Sequence, residues 1–146
     1  MAEPRTTAKR RTALDAALEA LRHRDRSEAE LGRRLAEKGF GEADCEHALA
    51  TLRRTGLLDD ERFASARAAS LAARGAGDAL IRHDLERAGV PRELADAALE
   101  PLEDELLRAR NIVGRRGPGP KTARYLGAKG FANETIASCV TVDSDP

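Results

Sequence analysis

The chain has 146 residues, which suits one domain or a short array of small units. Hydrophobic residues make up 41% but aromatics only 3%, and charged residues reach 34%. Ala and Leu dominate while Val, Ile, Tyr and Phe are scarce, so the composition favours amphipathic helices around a thin core and supplies little from which to build strands. No apolar run approaches the ~18–20 residues that cross a bilayer, and the basic start, Met1 to Arg11, leads into no apolar segment of a secretory signal.

The elements follow in chain order. Residues 1–11 carry net +3 and read as a basic, disordered arm. A first helix is expected over about 10–24. Ser27-Glu28-Ala29-Glu30 is a capping box: the hydroxyl accepts from the amide three residues on and Glu30 reaches back, opening a helix over about 28–38. Gly39 then supplies a left-handed C-terminal residue, and Phe40 is placed to fold back on the helix it leaves. A third helix covers about 43–55, followed by a turn at Gly56. Asp59 and Asp60 put negative charge at the start of a helix over about 60–74, which carries Arg62 and Phe63. These four residues read as a motif that fixes the junction between units, the Asp pair as a cap or as a contact. Helices over about 78–88 and 91–100 follow, separated by Gly89-Val90, with Pro91 in a first turn where its missing N–H is no loss. The last three helices are expected over about 103–114, 120–129 and 134–142, with Pro120 opening the second and Asn133 capping the third.

This order is a repeat. Leu35-Ala36-Glu37-Lys38-Gly39-Phe40 returns as Leu85-Glu86-Arg87-Ala88-Gly89-Val90 and as Leu126-Gly127-Ala128-Lys129-Gly130-Phe131, at offsets of 50 and 41. The same register aligns Leu49 with Leu99 and Val140, Leu21 with Leu71 and Ile112, and Arg24 with Arg74 and Arg115. The difference of nine residues falls in an insert, roughly Thr51 to Asp60. The expected organisation is therefore all-α: three tandem three-helix repeats, 12–58, 59–101 and 102–142, with a tail at 143–146, stacked into an elongated, curved array. Such a shape suits binding better than catalysis.

The net charge of zero hides an asymmetry. Residues 12–58 carry net −1, residues 59–104 net −5, and residues 105–142 net +5. Asymmetry of this kind orients a chain against a polyanion or a partner of mixed charge; its alternative is a solvated surface. Arg115, Arg116, Lys121, Arg124 and Lys129 gather around one helix N-terminus, whose free amides favour anions such as DNA phosphate or acidic protein groups. Tyr125 is a candidate to stack on a base, whereas Phe131 reads as packing. The recurring Arg24, Arg74 and Arg115 either complement helix C-termini and cover apolar surface, or repeat one contact along a periodic partner.

Other motifs carry no chemistry. Gly114-Arg115-Arg116-Gly117-Pro118-Gly119-Pro120-Lys121-Thr122 is similar to a phosphate-binding loop, but Pro120 removes an amide where a cradle needs one and no strand precedes it. A Gly/Pro turn between helices is the plainer account. Cys45 and Cys139 lack metal-ligand spacing and read as small core residues of a reducing cytoplasm. His23, His47 and His83 have no partners spaced for zinc, and no nucleophile–base arrangement is present. The chain therefore reads as a non-enzyme without metal or cofactor.

Gly56-Leu57-Leu58-Asp59-Asp60-Glu61-Arg62-Phe63-Ala64 resembles the G-x-L-D-D-x-R-F-A signature of the RecX family. Arg26-Ser27-Glu28-Ala29-Glu30-Leu31 with Leu35-Ala36-Glu37-Lys38-Gly39-Phe40 resembles that family's opening, and Lys121-Thr122-Ala123-Arg124-Tyr125-Leu126 with Lys129-Gly130-Phe131 its last repeat. The resemblance spans about residues 12–142. It implies a crescent of three-helix repeats that binds RecA and the groove of the RecA–DNA filament, inhibits strand exchange and the coupled ATPase, and acts in DNA repair and SOS control. Some members also bind single- or double-stranded DNA directly. It implies a cytoplasmic protein, here taken as a monomer, with no membrane partner. The acidic second repeat and the neutral net charge weigh against strong autonomous DNA binding. The alternative is a stand-alone helical DNA-binding module of helix-turn-helix type, though Ala123-Arg124-Tyr125-Leu126-Gly127 offers few side chains to read bases.

Overall fold

The computed structural model describes residues 11–140. The expected basic arm, apart from Arg11, and the expected tail at 143–146 lie outside the described residues. Among those described there are nine α-helices and no strand, as the composition requires. They are α1 (Ala13–His23), α2 (Glu28–Glu37), α3 (Glu42–Arg54), α4 (Asp60–Ala73), α5 (Asp78–Arg87), α6 (Arg92–Leu99), α7 (Glu105–Arg116), α8 (Pro120–Ala128) and α9 (Asn133–Cys139). The chain divides into two compact units, Met1–Asp60 and Glu61–Pro146.

In the first unit α1, α2 and α3 pack on one another. Ala13, Ala16, Ala17 and Ala20 of α1 let the neighbouring helices approach closely, and Leu31, Leu35, Ala48, Leu49, Leu52 and Leu58 fill the space. Leu31 and Leu35 are completely buried at i,i+4 on one face of α2, each burial contributing roughly 1.5–3 kcal/mol. The helix starts have specific causes. The Ser27 box forms as read, with Glu30 N–H donating to Ser27 Oγ at 3.0 Å and Ser27 N–H to Glu30 Oε1 at 3.2 Å. A second box, unread in the sequence, joins Thr12 and Asp15 at the start of α1.

In the second unit α4, α5 and α6 surround Phe63, Ala64, Ala68, Ile81, Leu85, Val90, Ala95 and Ala98. Helices α7, α8 and α9 surround Ala109, Ile112, Leu126, Phe131 and Val140. The i,i+4 pair Leu31/Leu35 has its counterparts in Ile81/Leu85 and Thr122/Leu126, all buried. The expected glycine stops form: Gly39, Gly89 and Gly130 lie at φ +96°, +81° and +88°. The next amides, of Phe40, Val90 and Phe131, donate back to Leu35, Leu85 and Leu126 carbonyls at 3.0–3.2 Å, which satisfies carbonyls the helix leaves open.

Two caps differ from the reading by one residue. Asn133 is the first residue of α9 rather than its cap; Ala132 holds the cap position and its N–H donates to Glu105 Oε2 at 2.8 Å. That carboxylate holds the cap residue's own amide, and no side chain caps the first-turn amides of α9. Pro91 is the cap of α6, outside its first turn, and its carbonyl accepts from Leu94 and Ala95.

The two halves of the second unit are joined end to end. Gly77, the cap of α5, donates its N–H to the Lys129 carbonyl at 2.7 Å, and Ala79 N–H reaches the Gly130 carbonyl at 3.3 Å. The open amides of one helix start therefore meet the open carbonyls of one helix end.

Candidate functional site

Arg115, Arg116, Lys121 and Arg124 are placed by the turn between α7 and α8. Arg115 and Arg116 occupy the last turn of α7, where the helix dipole favours cations. Gly117 ends the helix at φ +97°, its N–H donating to the Val113 carbonyl at 2.7 Å. Gly119 then precedes α8, Pro120 is its first residue, and no side chain caps its amides. The Gly/Pro turn is as read. Lys121 and Arg124 stand exposed on α8, and Lys129 is half-buried at its C-terminal cap.

Tyr125 organises part of this group. The Arg116 guanidinium lies 3.7 Å from its ring centroid, and Lys129 Nζ lies 5.9 Å away. One face of the ring is therefore occupied by Arg116, and that face is closed to a stacking base. Arg116 and Lys129 are brought together by this ring.

The recurring arginines sit at helix ends, two of them just past the last residue. Arg24 is the exposed cap of α1, within the first unit. Arg74 follows α4; it is exposed, and its Nη2 donates to Ser70 Oγ at 3.1 Å. Arg115 stands exposed at a cleft of about 290 Å³ lined also by Ala72, Ala73, Gly75, Asn111 and the buried Arg108.

The junction motif divides into different jobs. Asp60 Oδ1 accepts from Glu28 N–H, the first amide of α2, at 2.8 Å. Burial lifts this carboxyl above its ordinary value, against the pull of that amide. Phe63 is buried, with the Arg67 guanidinium 5.9 Å from its ring. Asp59 and Arg62 are exposed at the surface.

Sequence reasoning missed Arg108. Only 9% exposed, it pairs with Asp78 through Nη2 at 2.6 Å and Nη1 at 3.1 Å, and it donates to the carbonyls of Glu103 and Ala76. Burial pushes the Asp78 carboxyl up while Arg108 pulls it down. The register that aligns Arg74 with Arg115 also aligns Arg67 with Arg108, and Arg67 makes its own two-pronged pair with Asp84 at 2.8 and 3.0 Å. A basic residue recurring at a core-facing position was the available signal.

No group of His, Cys, Asp and Glu suited to a metal exists among the described residues, and none of their helices is long and apolar enough to cross a membrane. What Arg24, Arg115 and Arg116 offer is exposed cationic side chains at helix ends.

Family models agree with the helical organisation. Residues 13–52 match the first three-helix domain of RecX and residues 59–99 its second. The regulatory protein RecX of Trichlorobacter lovleyi is 39% identical over 136 residues, covering 83% of this chain and 88% of its own. That of Halorhodospira halophila is 34% identical over 142 residues, covering 90% and 88%. The crystal structure of RecX from Lactobacillus salivarius superposes with a TM-score of 0.75 over 87% of this chain and 91% of that one, at 19% identity, a likeness of fold. With both family models matched in order and relatives aligned along most of its length, the chain belongs to the RecX family of regulatory proteins.

Proposed function

We propose that this chain regulates RecA by occupying the RecA–DNA filament, as a non-enzymatic monomer of the bacterial cytoplasm serving DNA repair and SOS control. The observation that carries the reading is the alignment with regulatory RecX proteins along 83–90% of the chain. In this reading the three repeats stack into an elongated, curved array lying along the filament. Arg115, Arg116, Lys121, Arg124 and Lys129, with Arg74 and Arg24, face DNA or acidic RecA surface, and the acidic second repeat faces basic RecA surface. Whether the chain caps or stabilises the polymer follows from its differential affinity for filament over free RecA.

The test is RecA's single-strand-dependent ATP hydrolysis with the chain added well below one per RecA. Inhibition at such ratios is expected. Reversing Lys121 and Arg124 to Glu is expected to weaken filament binding roughly tenfold, the scale of one or two lost charged contacts. No effect of the intact chain on hydrolysis, together with salt-sensitive duplex binding in the absence of RecA, would instead establish the stand-alone DNA module.

A further inference from the structure

The cleft beside Arg115 lies where α4 ends and α7 passes. Its walls are Ala72, Ala73, Leu102, Ile112 and Phe131, and its polar groups are Glu103, Arg108, Asn111 and Arg115. Hydrogen-bond donors outnumber acceptors there. Arg108 has a buried Nε with no partner, while its terminal nitrogens are already held by Asp78 and backbone carbonyls. Arg115 and Asn111 are exposed, and among the described residues neither side chain is held by an ion pair or hydrogen bond. A second cleft, over α5 and α6, sets two carboxylates, Glu86 and Asp96, beside its two arginines, Arg82 and Arg92, with Arg82 paired to Asp96 at 3.1 Å.

We infer that this cleft is a docking pocket for a single acidic side chain of a protein partner, its carboxylate between Asn111 and Arg115 and its stem against the apolar walls. The inference rests on the proposed function and deepens it, the partner being RecA in its filament. Three features favour a protein carboxylate over nucleic acid. The site is concave and the size of one or two side chains, whereas a DNA backbone is read by several cations spread over a surface. Much of its wall is apolar, which suits a side-chain stem and gives a phosphate nothing. Asp78 neutralises Arg108, so Arg115 is the one cation left there, which matches a single carboxylate and is too few for a polyanion.

The experiment measures binding of fluorescently labelled full-length chain to RecA assembled on single-stranded DNA, with binding of the chain alone to the same DNA measured in parallel over a salt series. Ala73→Phe fills the cleft without changing charge, and Asn111→Glu places a negative charge where the carboxylate would sit. Both positions are exposed, and helical content and melting temperature are followed for each variant. Each variant is expected to weaken filament binding by about tenfold or more, the scale of losing a pocketed anchor, and to leave DNA binding by the chain alone unchanged. Folded variants that bind the filament as tightly as the parent would overturn the pocket while leaving the proposed function standing. Equal losses with and without RecA would also overturn it, assigning the cleft to nucleic acid. Failure of the unsubstituted chain to bind the filament would remove the proposed function itself, and the pocket with it.

Discussion

Gly130→Ala is expected to destabilise the second unit by about 3 kcal/mol or more, through two independent effects. The residue lies at φ +88°, where an L side chain meets its own carbonyl; that alone costs roughly 1–2 kcal/mol. The added Cβ would also stand 2.6 Å from the backbone nitrogen and the Cβ of Leu80. A helix start cannot rotate away like the end of a flexible side chain, so the α8–α5 junction must open. Opening it breaks the Gly77 and Ala79 hydrogen bonds to the Lys129 and Gly130 carbonyls. Gly77→Ala tests the second effect without the first. Its φ is −85°, but its Cβ would come within 2.7 Å of Gly130 and Phe131 backbone. Urea denaturation followed by helical signal measures both. The same substitution at Gly39, whose Cβ would meet nothing within 4 Å, is expected to show the φ cost alone.

Asp78→Ala is expected to cost about 3 kcal/mol, the usual consequence of leaving one buried ion without its partner. Arg108 is 9% exposed and donates two hydrogen bonds to the carboxylate that would be lost. Carbonyl acceptors from Glu103 and Ala76 remain, and Glu105 is close enough to interact with Asp78, so the loss falls at the lower end of the range. Removing both ions, Asp78→Ala with Arg108→Met, is expected to recover part of the stability, because no charge is then stranded. A double-mutant cycle in urea gives the coupling directly. The pH dependence has a definite sign. Burial is the largest influence on Asp78 and raises its carboxyl in the folded chain. Its titration therefore favours folding in acid, and that increment is lost as pH rises through the folded value. Acid unfolding of this chain is not expected to begin at Asp78.

These expectations turn on contacts about which the sequence was silent, those of Gly130 with Leu80 and of Asp78 with Arg108, and the contrast with what it did show has a cause. Helix positions were legible because their determinants are local. The Ser27–Glu30 box, the glycine after each second helix and the proline opening α8 act within one turn of chain, and each helix begins and ends within three residues of where those signals put it. The buried face was legible for the same reason: Leu31/Leu35 and Ile81/Leu85 recur at helical spacing, and Thr122 keeps the place of an aliphatic residue in the third register. Family membership was carried by phrases such as Leu57-Leu58-Asp59-Asp60, which are contiguous.

The site was legible only as composition. A count of basic residues found Arg115, Arg116, Lys121, Arg124 and Lys129 but did not separate them. Tertiary packing does: Arg116 is stacked on the Tyr125 ring, Arg115 lines a cleft, and Lys121 and Arg124 stand in solvent. Packing also supplied what no local pattern encodes: Glu105 accepting from the amide before α9, Asp60 accepting from the first amide of α2, and the pair of Asp78 with Arg108, 30 residues apart. The sequence by itself determined which segments are helical and which side chains are cationic, because backbone capping and side-chain charge are properties of a residue and its near neighbours. Which cations remain available was decided by the tertiary structure alone, because a guanidinium is neutralised, stacked or left open only by groups that folding brings beside it.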